Sequence, residues 1–566
     1  MLDAVLAATS LTLRYSSVLF VRFYPIARYL PRVYANFAAY ALSALLQLQL
    51  TRRHARKRRH HPVLIALFGW IDRTRPLLSA LTALVNILCV ISAVDFVYRG
   101  QYFHPSHELS FSRTGYVDAT SARIVVRAPQ ASVVKLQATP AGFGTLPEDL
   151  GTLPENSVVS AIVRDISEET DWAGTLTLNG LRPDTAYVYS TNASHTGTFK
   201  TAGEHPKKWT MIQTSCVKPF YPYNPLDHAL RVKGLEHLGR HLGNRTPEFM
   251  LFLGDFIYID LPYPLGWTRQ HYTALYRQTY ASPSWTPALR ALPWLHVYDD
   301  HEFVNDWSGN ETGLYQRAVA PYWQYQGHAN PPSPSHFGDG ASYYTFARGD
   351  VAFFVLDTRR YRSPAETPDD GPDKTMLGAA QLGHLRRWLR DEPRWKVVVS
   401  SVPWTRTWVG PDQGDRWAGY LRERETIFGW MRETDGVVLL SGDRHEHTTT
   451  LFPPPPGEGE EEREGRGQTL IEFSTSALNQ FYEPFDRFHV PVVGGDEAVY
   501  NHYSGNSKFA SISFDTTDPG RWVVQFDLIV DGEKVWDYEW TYERRTTEPA
   551  REEPEPSAAS WGFWGR

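Results

Sequence analysis

Seven uninterrupted apolar runs, each stopping abruptly at polar or metal-competent residues, set the tightest limit on how this chain can fold. They are WTMIQTSC, FMLFLGD, WLHVYDDHE, VAFFVLDTR, WKVVVSSVPW, GVVLLSGDRH and TLIEFSTSA. Apolar runs of this length without polar alternation read as strands buried on both faces. Helical patterns lie between them. LDHALRVKGLEHLGRHLG places Leu235, Leu238 and Leu242 on one face, and AAQLGHLRRWLR does the same with Leu382, Leu385, Trp388 and Leu389, the spacing of a core-facing stripe. Strands alternating with helices predict a layered α/β core, in which ligands sit beyond the carboxyl ends of the strands. Polar residues of this chain accumulate at those ends.

At 566 residues the chain exceeds what one hydrophobic core supports. The α/β core is expected over 206–545. Before it, residues 101–205 carry short β-type runs separated by turn residues: VDATSARIVVRAP, SVVKLQAT, GTLTLNG and TAYVYSTN. They predict a fibronectin/Ig-like β-sandwich, and LNGLRPDTAYVYS sets a tyrosine just after a turn, as such sandwiches do. The stretch 453–468, PPPPGEGEEEREGRGQ, is Pro-rich then acidic and is expected to be disordered, like the tail 546–566.

Residues 1–100 read as a membrane anchor with two transmembrane helices, 33–50 and 77–98. The second is charge-free until Asp95 and long enough to cross a ~30 Å hydrocarbon layer. Residues 10–30, interrupted by Arg14, Arg22 and Arg28, suit an interfacial amphipathic helix. The cluster Arg52, Arg53, Arg56, Lys57, Arg58 and Arg59 should stay cytoplasmic, making a hairpin that leaves everything from Arg99 onward lumenal or extracellular. Sequons at Asn192, Asn244 and Asn310 are compatible with a glycoprotein. The net charge of −6 argues against nucleic acid as a partner. Cys89 and Cys216 are the two cysteines, too differently placed to pair, which leaves a lone thiol in the soluble part.

The strand ends supply Cys216 from SC, Asp255 and Tyr258 from GDFIYID, Asp299, Asp300, His301, Glu302 and Asn305 from YDDHEFVND, and Asp443, His445 and His447 from SGDRHEH. Carboxylate, phenolate and imidazole together suit hard cations, and two neighbouring cations need a shared carboxylate, for which Asp255 is the candidate. Competing chemistries fail on spacing. HEFVN has Asn305 where a zinc protease needs its second histidine, Pro222 stands where a cysteine phosphatase needs arginine, and no GxSxG elbow occurs.

GDFIYID, YDDHEFVN, LDTRRYR, the LG-x-x-Q helix start and SGDRH, in this order, resemble the alkaline phosphatase D (PhoD-like) family of metallophosphoesterases. The likeness covers roughly 105–545. It implies a four-layer β-α sandwich that hydrolyses phosphomonoesters or phosphodiesters with iron and calcium, other divalent cations being compatible. By motif position Cys216, Asp255, Tyr258 and His445 would hold the iron. Asp255, Asp300 and Asp443 would face the second metal, with Asn305 close by. His301 is expected to act on the phosphate or leaving group, and Arg359 to bind phosphate or form a structural ion pair. Cys216 and Asp443 replace the Asp and His of the wider metallophosphoesterase pattern, which shifts the second site toward oxygen ligands and calcium. The alternative is a membrane glycoprotein that keeps the fold and a structural metal without turnover. Oligomeric state is left open.

Overall fold

The computed structural model describes residues 2–53, 60–141, 158–243, 245–369, 371–455, 467–486 and 488–544. Most of the 453–468 insertion, the whole 546–566 tail, Asn244 and most of the basic cluster lie outside the described residues.

Two sheets face each other in the α/β part. One has the strand order Trp294–Val297, Met250–Leu253, Lys208–Thr214, Lys508–Asp515, Arg521–Val530, Glu533–Glu543. The other runs Tyr344–Arg348, Val351–Val355, Trp395–Val399, Val437–Ser441, Leu470–Thr475, His447–Phe452, Asp496–His502, Val492–Val493. Side chains alternate between faces as the pleat requires. Val397, Val399, Val438 and Leu440 enter the core between the sheets, while Val398, Val437 and Leu439 pack under the helices Gly378–Asp391 and Leu421–Glu433. Across the other sheet, Met211 and Leu251 point inward, and Ile212 and Phe252 meet a helical layer that includes Lys233–Leu242 and Arg269–Tyr280. Burial on both faces explains why these strands read as unbroken apolar runs. Neighbours 208–214, 250–253 and 294–297 are parallel, as are 351–355, 395–399, 437–441 and 470–475. Their carboxyl ends therefore open on one rim.

Ahead of this core, Phe111–Val117, Ser121–Arg127 and Ala173–Asn179 form one sheet, and Val159–Arg164, Val133–Pro140, Ala186–Thr191 and Thr196–Lys200 a second. They enclose Ile124, Val126, Leu136, Leu178 and Phe199. The Tyr187 hydroxyl accepts a hydrogen bond from the Arg182 backbone N–H at 2.8 Å, which ties the strand to the preceding turn.

The N-terminal segment departs from the sequence expectation. Helices run Leu2–Val18, continued by a π-helical turn Leu19–Phe23, then Tyr29–Arg53, Pro62–Phe68 and Pro76–Phe103. Residues 10–30 are thus not one interfacial helix. Among the described residues two helices are long and apolar enough to cross a membrane: Pro76–Phe103, which contains the expected 77–98, and Leu2–Phe23, in place of 33–50. Leu2–Phe23 is apolar enough with Arg14 included. The Arg14 guanidinium points inward, donating to Asn86 Oδ1 at 2.7 Å, Thr82 Oγ1 at 2.7 Å and the Ala66 and Leu67 carbonyls, so this charge leaves the outer face of its helix apolar.

Candidate metal centre

The sharp turns beyond four of the parallel strands deliver donor atoms to the rim. Cys216 follows Lys208–Thr214, Asp255 follows Met250–Leu253, Asp299 and Asp300 follow Trp294–Val297, and Asp443 and His445 follow Val437–Ser441. Four of these, Cys216, Asp255, Asp443 and His445, have φ between 57° and 73°. Non-glycine residues in this left-handed region cost energy and persist where the surroundings over-determine them. Gly254, at φ 98°, permits the closest approach, because a Cβ there would lie 2.5 Å from Asp299 Cβ. Any side chain would wedge the two acid-bearing turns apart.

Glu302 locks those turns together. Its carboxylate accepts backbone N–H groups from Asp255 at 2.9 Å, Phe256 at 2.6 Å and Asp299 at 2.8 Å. Asp299 and Glu302 form a capping box on the short 3-10 turn Asp300–Glu302. This fixed frame brings two donor groups into contact around Asp255. On one side, Asp255 Oδ2 lies 3.3 Å from Cys216 Sγ and 3.1 Å from the Tyr258 hydroxyl, which is itself 3.1 Å from His445 Nε2. On the other, carboxylate oxygens of Asp255, Asp299, Asp300 and Asp443 all fall within 4.8 Å of one another.

This donor set fits metal ions. Ligand atoms bound at ~2.0–2.3 Å to a transition metal stand about 3 Å apart, the spacing found around Asp255. Asp299 Oδ2 is buried with no hydrogen-bond partner among the described residues, which is costly unless a cation satisfies it. The protonation equilibria point the same way. Burial, then Asp300, pushes the Asp255 carboxyl well up. Burial, then Asp255, does the same to the Cys216 thiol and the Tyr258 phenol. Burial raises Asp443 to about 7 and Asp299 to about 6. Burial, then Arg444, holds His445 neutral, the form that ligates. So many acids ionise together in a buried rim only with neutralising cations.

The other expected residues occupy different positions. His301 lines the cavity with Nδ1 2.7 Å from Asp260 Oδ1. Burial opposes its charged form, but Asp260, Asp300 and Asp255 outweigh that and raise its pKa well above the usual value. Asn305 also lines the cavity, and its backbone N–H reaches Asp260 Oδ2 at 3.1 Å. Arg359 does not face the cavity as a phosphate ligand would. It is fully buried, 2.5 Å from Asp299 and bidentate to Asp415 at 2.6 and 2.8 Å, so the structural ion pair is what the fold contains. Of the histidine and acid beside His445, His447 bonds Thr475 and Thr449, and Glu446 bonds His489.

Sequence reading missed the cations that do face the cavity. Arg416 and Arg444 lie over the Trp408 ring at 3.9 and 3.5 Å. Both line the same 750 Å³ space as Asp255, Asp300, His301 and Asp443. Arg444 Nε has no partner among the described residues. Burial, then Arg444, lowers Arg416 to about 9, against the opposing pull of Asp443, whose Oδ2 stands 3.6 Å from its Nε. The signal available in sequence was Arg444 inside SGDRH; Arg416 carried none. Asp260, which organises His301 and Asn305, was likewise missed, although it closes the GDFIYID motif.

The chain belongs to the PhoD-like phosphatase family, whose match spans residues 232–514, half of its length. It is 26% identical over 321 residues to alkaline phosphatase D of Bacillus subtilis (strain 168), covering 47% of this chain and 52% of that protein, so it spans about half the length of this curated relative. Its fold matches a solved structure of PhoD with TM-score 0.57 and 17% identity, over 77% of this chain and 90% of that one. It also matches purple acid phosphatase PPD1 from yellow lupin (Lupinus luteus) seeds with TM-score 0.51 and 12% identity, over 77% and 75%. Cys216 precedes the family match, so its place at the site rests on geometry.

Proposed function

We propose that this protein hydrolyses phosphomonoesters or phosphodiesters at a multinuclear metal site of the alkaline phosphatase D type, and is therefore a phosphoric ester hydrolase. The observation that carries the reading is the meeting, around Asp255, of a thiol–phenol–imidazole group with an all-carboxylate group. The first group, Cys216, Asp255, Tyr258 and His445, has the mixed softness that suits iron; the second, Asp255, Asp299, Asp300 and Asp443, has the oxygen donors that suit calcium. When bound, such paired cations supply Lewis acidity that makes a water nucleophilic near neutral pH.

The chain's own groups do the rest. Arg416 and Arg444 bind and orient the phosphoryl oxygens. His301, held by Asp260, stands ready to give a proton to the departing alkoxide. Asn305 sits at the same cavity wall as a hydrogen-bonding group for the ester.

The same reading anchors the protein in a membrane with the catalytic part lumenal or extracellular. Its support is an inside-out helical unit. Ser10, Arg14, Thr82 and Asn86 hydrogen-bond within it, while Leu42, Leu77 and Leu81 are 63%, 87% and 57% exposed. Polar residues inside and leucines outside suit a lipid surround.

Metal analysis of the purified full-length protein, with hydrolysis of chromogenic mono- and diesters by the wild type, Cys216→Ala and Asp255→Asn, tests the proposal. Bound metal with turnover that both substitutions reduce by roughly a thousandfold or more is expected. Metal without turnover would replace the reading with a structural metal site.

A further inference from the structure

The catalytic cavity has a wall that the catalytic domain does not make. Tyr24, Ile26, Ala27, Arg28 and Tyr29, the turn joining helix Leu2–Phe23 to helix Tyr29–Arg53, line it together with Asp255, Asp300 and His445. The contact is continuous. Phe481 packs edge-on against the His445 ring at 4.7 Å and against the Tyr24 ring at 6.1 Å. The Tyr24 hydroxyl donates to Glu483 at 2.9 Å, and Phe96 near the end of helix Pro76–Phe103 packs on Phe220 at 6.1 Å. One aromatic ring therefore separates a metal-ligand candidate from the end of an apolar helix.

That end of the helical unit has the composition of a bilayer interface. Tyr102 and Phe103 are 75% and 76% exposed. Arg28 and Arg32 both lie over the Tyr29 ring, at 5.5 and 5.4 Å. Aromatic rings and cations at helix ends settle among lipid headgroups. The headgroup layer is only ~5–8 Å deep on each side of the hydrocarbon, so a cavity wall built from this turn opens within it. The wall continues through Leu261, Pro264 and Trp267, apolar surface suited to the glycerol and upper acyl carbons.

We infer that the substrate is a phosphate ester carried by a lipid of the membrane that holds the helices, entering the cavity beside the Tyr24–Tyr29 turn with its phosphate on Arg416 and Arg444 and its lipid side against Arg28 and Tyr24. The inference rests on the hydrolase reading above. In the step itself a water oxygen bonds to phosphorus as the ester P–O bond breaks, and the departing alkoxide takes a proton; no further reactant is needed.

Full-length protein in phosphatidylcholine nanodiscs is assayed with headgroup-matched pairs: phosphatidic acid in the disc against glycerol 3-phosphate in solution, and phosphatidylglycerol in the disc against glycerophosphoglycerol. Nitrophenyl mono- and diesters serve as a separate measure of hydrolase activity. Lipid binding energy should raise turnover of at least one lipid ester roughly tenfold or more over its soluble partner. The double substitution Tyr24→Ala, Arg28→Ala should lower that ratio. Hydrolysis of nitrophenyl and soluble esters with no preference for either lipid overturns the inference and leaves the hydrolase reading standing. Absence of hydrolysis on every ester overturns both.

Discussion

Replacing Arg359 with methionine separates a framing arginine from a substrate-binding one. The methionine side chain has a similar reach and no charge, so three carboxylates lose a partner: Asp299 at 2.5 Å, Asp415 at 2.6 Å and Asp300 at 3.7 Å. Removing one member of a buried ion pair costs ~3–5 kcal/mol. Here the loss falls toward the lower end, because Asp299 keeps the Ser401 hydroxyl at 2.7 Å and Asp415 keeps Arg362 at 2.6 Å. A loss of about 3–4 kcal/mol, at about 2.1 cal/mol/K per residue over a unit the size of 232–514, lowers the melting temperature by roughly 5–7 °C. Thermal melting of the full-length protein in detergent measures this, alongside metal content, kcat and KM. Stability, metal retention and kcat should fall while KM stays within about threefold. Arg359→Lys, a point charge that reaches one carboxylate, should fall between. A variant that melts like wild type and shows only a tenfold or greater rise in KM would refute the reasoning and make Arg359 a phosphate ligand.

Arg416→Met and Arg444→Met should each raise KM for phosphate esters by roughly 10–100-fold, the loss of one charge-assisted bond of about 1.5–3 kcal/mol; steady-state kinetics on a soluble diester reads it, and an unchanged KM removes them from the substrate. Glu302→Gln turns an amide N–H₂ toward backbone N–H groups of the Asp255 and Asp299 turns, so a loss of about 2–3 kcal/mol with reduced metal content is expected, and urea unfolding with metal analysis checks it. His489 sits 3.0 Å from Glu446 and 2.6 Å from Asp486. Burial opposes its charge, but these carboxylates raise it to about 9. A raised imidazole pKa gives stability that is complete below about 6.5 and lost as pH rises through about 9, worth about 2 kcal/mol given that Asp486 is partly exposed. His489→Gln should flatten the fall in melting temperature between pH 6.5 and 9.5, and an unaltered slope would discard this pair as the cause.

The architecture was legible wherever a strand is buried on both faces. All seven apolar runs are strands, because side chains such as Val397 and Val398 meet apolar layers on opposite sides. The edge is where pattern reading lost its grip. Glu533–Glu543 runs through exposed and half-buried positions, with only Tyr542 buried and many polar residues, and Tyr344–Arg348 is a short antiparallel edge; neither has enough apolar content to stand out alone. At the site, six of the seven proposed ligands were named because each lies in the turn after a strand, where the fold must put it near the others; Asp299, in the same YDDHE turn, was left out of the ligand set. Arg359 stayed open between phosphate and an ion pair because the acids that engage it, Asp299 and Asp415, come from distant turns. Arg416 and Arg444 meet over their shared Trp408, a contact that depends on loop geometry no local spacing encodes.

Taking 33–50 rather than Leu2–Phe23 as the first apolar helix has a similar origin. Hydropathy counts a residue whichever way it points, yet a helix among helices in lipid needs only its outward face apolar. With Arg14 turned onto Asn86 and Thr82, helix Leu2–Phe23 presents an apolar outer face, and Tyr29–Arg53 returns beside it before Pro76–Phe103 leads to the catalytic part. On the membrane reading proposed above, this rearranges the charge balance. In a two-helix hairpin, Arg14, Arg22 and Arg28 would sit on the side opposite the 52–59 cluster and oppose its orientation. In a three-helix arrangement Arg14 is internal. Arg28 and Arg32 stand by the catalytic cavity, and Arg73 and Arg75 lie at the other end, where helix Tyr29–Arg53 finishes. With the 52–59 cluster that follows in sequence, the excess of cation at that far end retains it in the cytoplasm, leaving the metal centre on the opposite surface, against the outer headgroups.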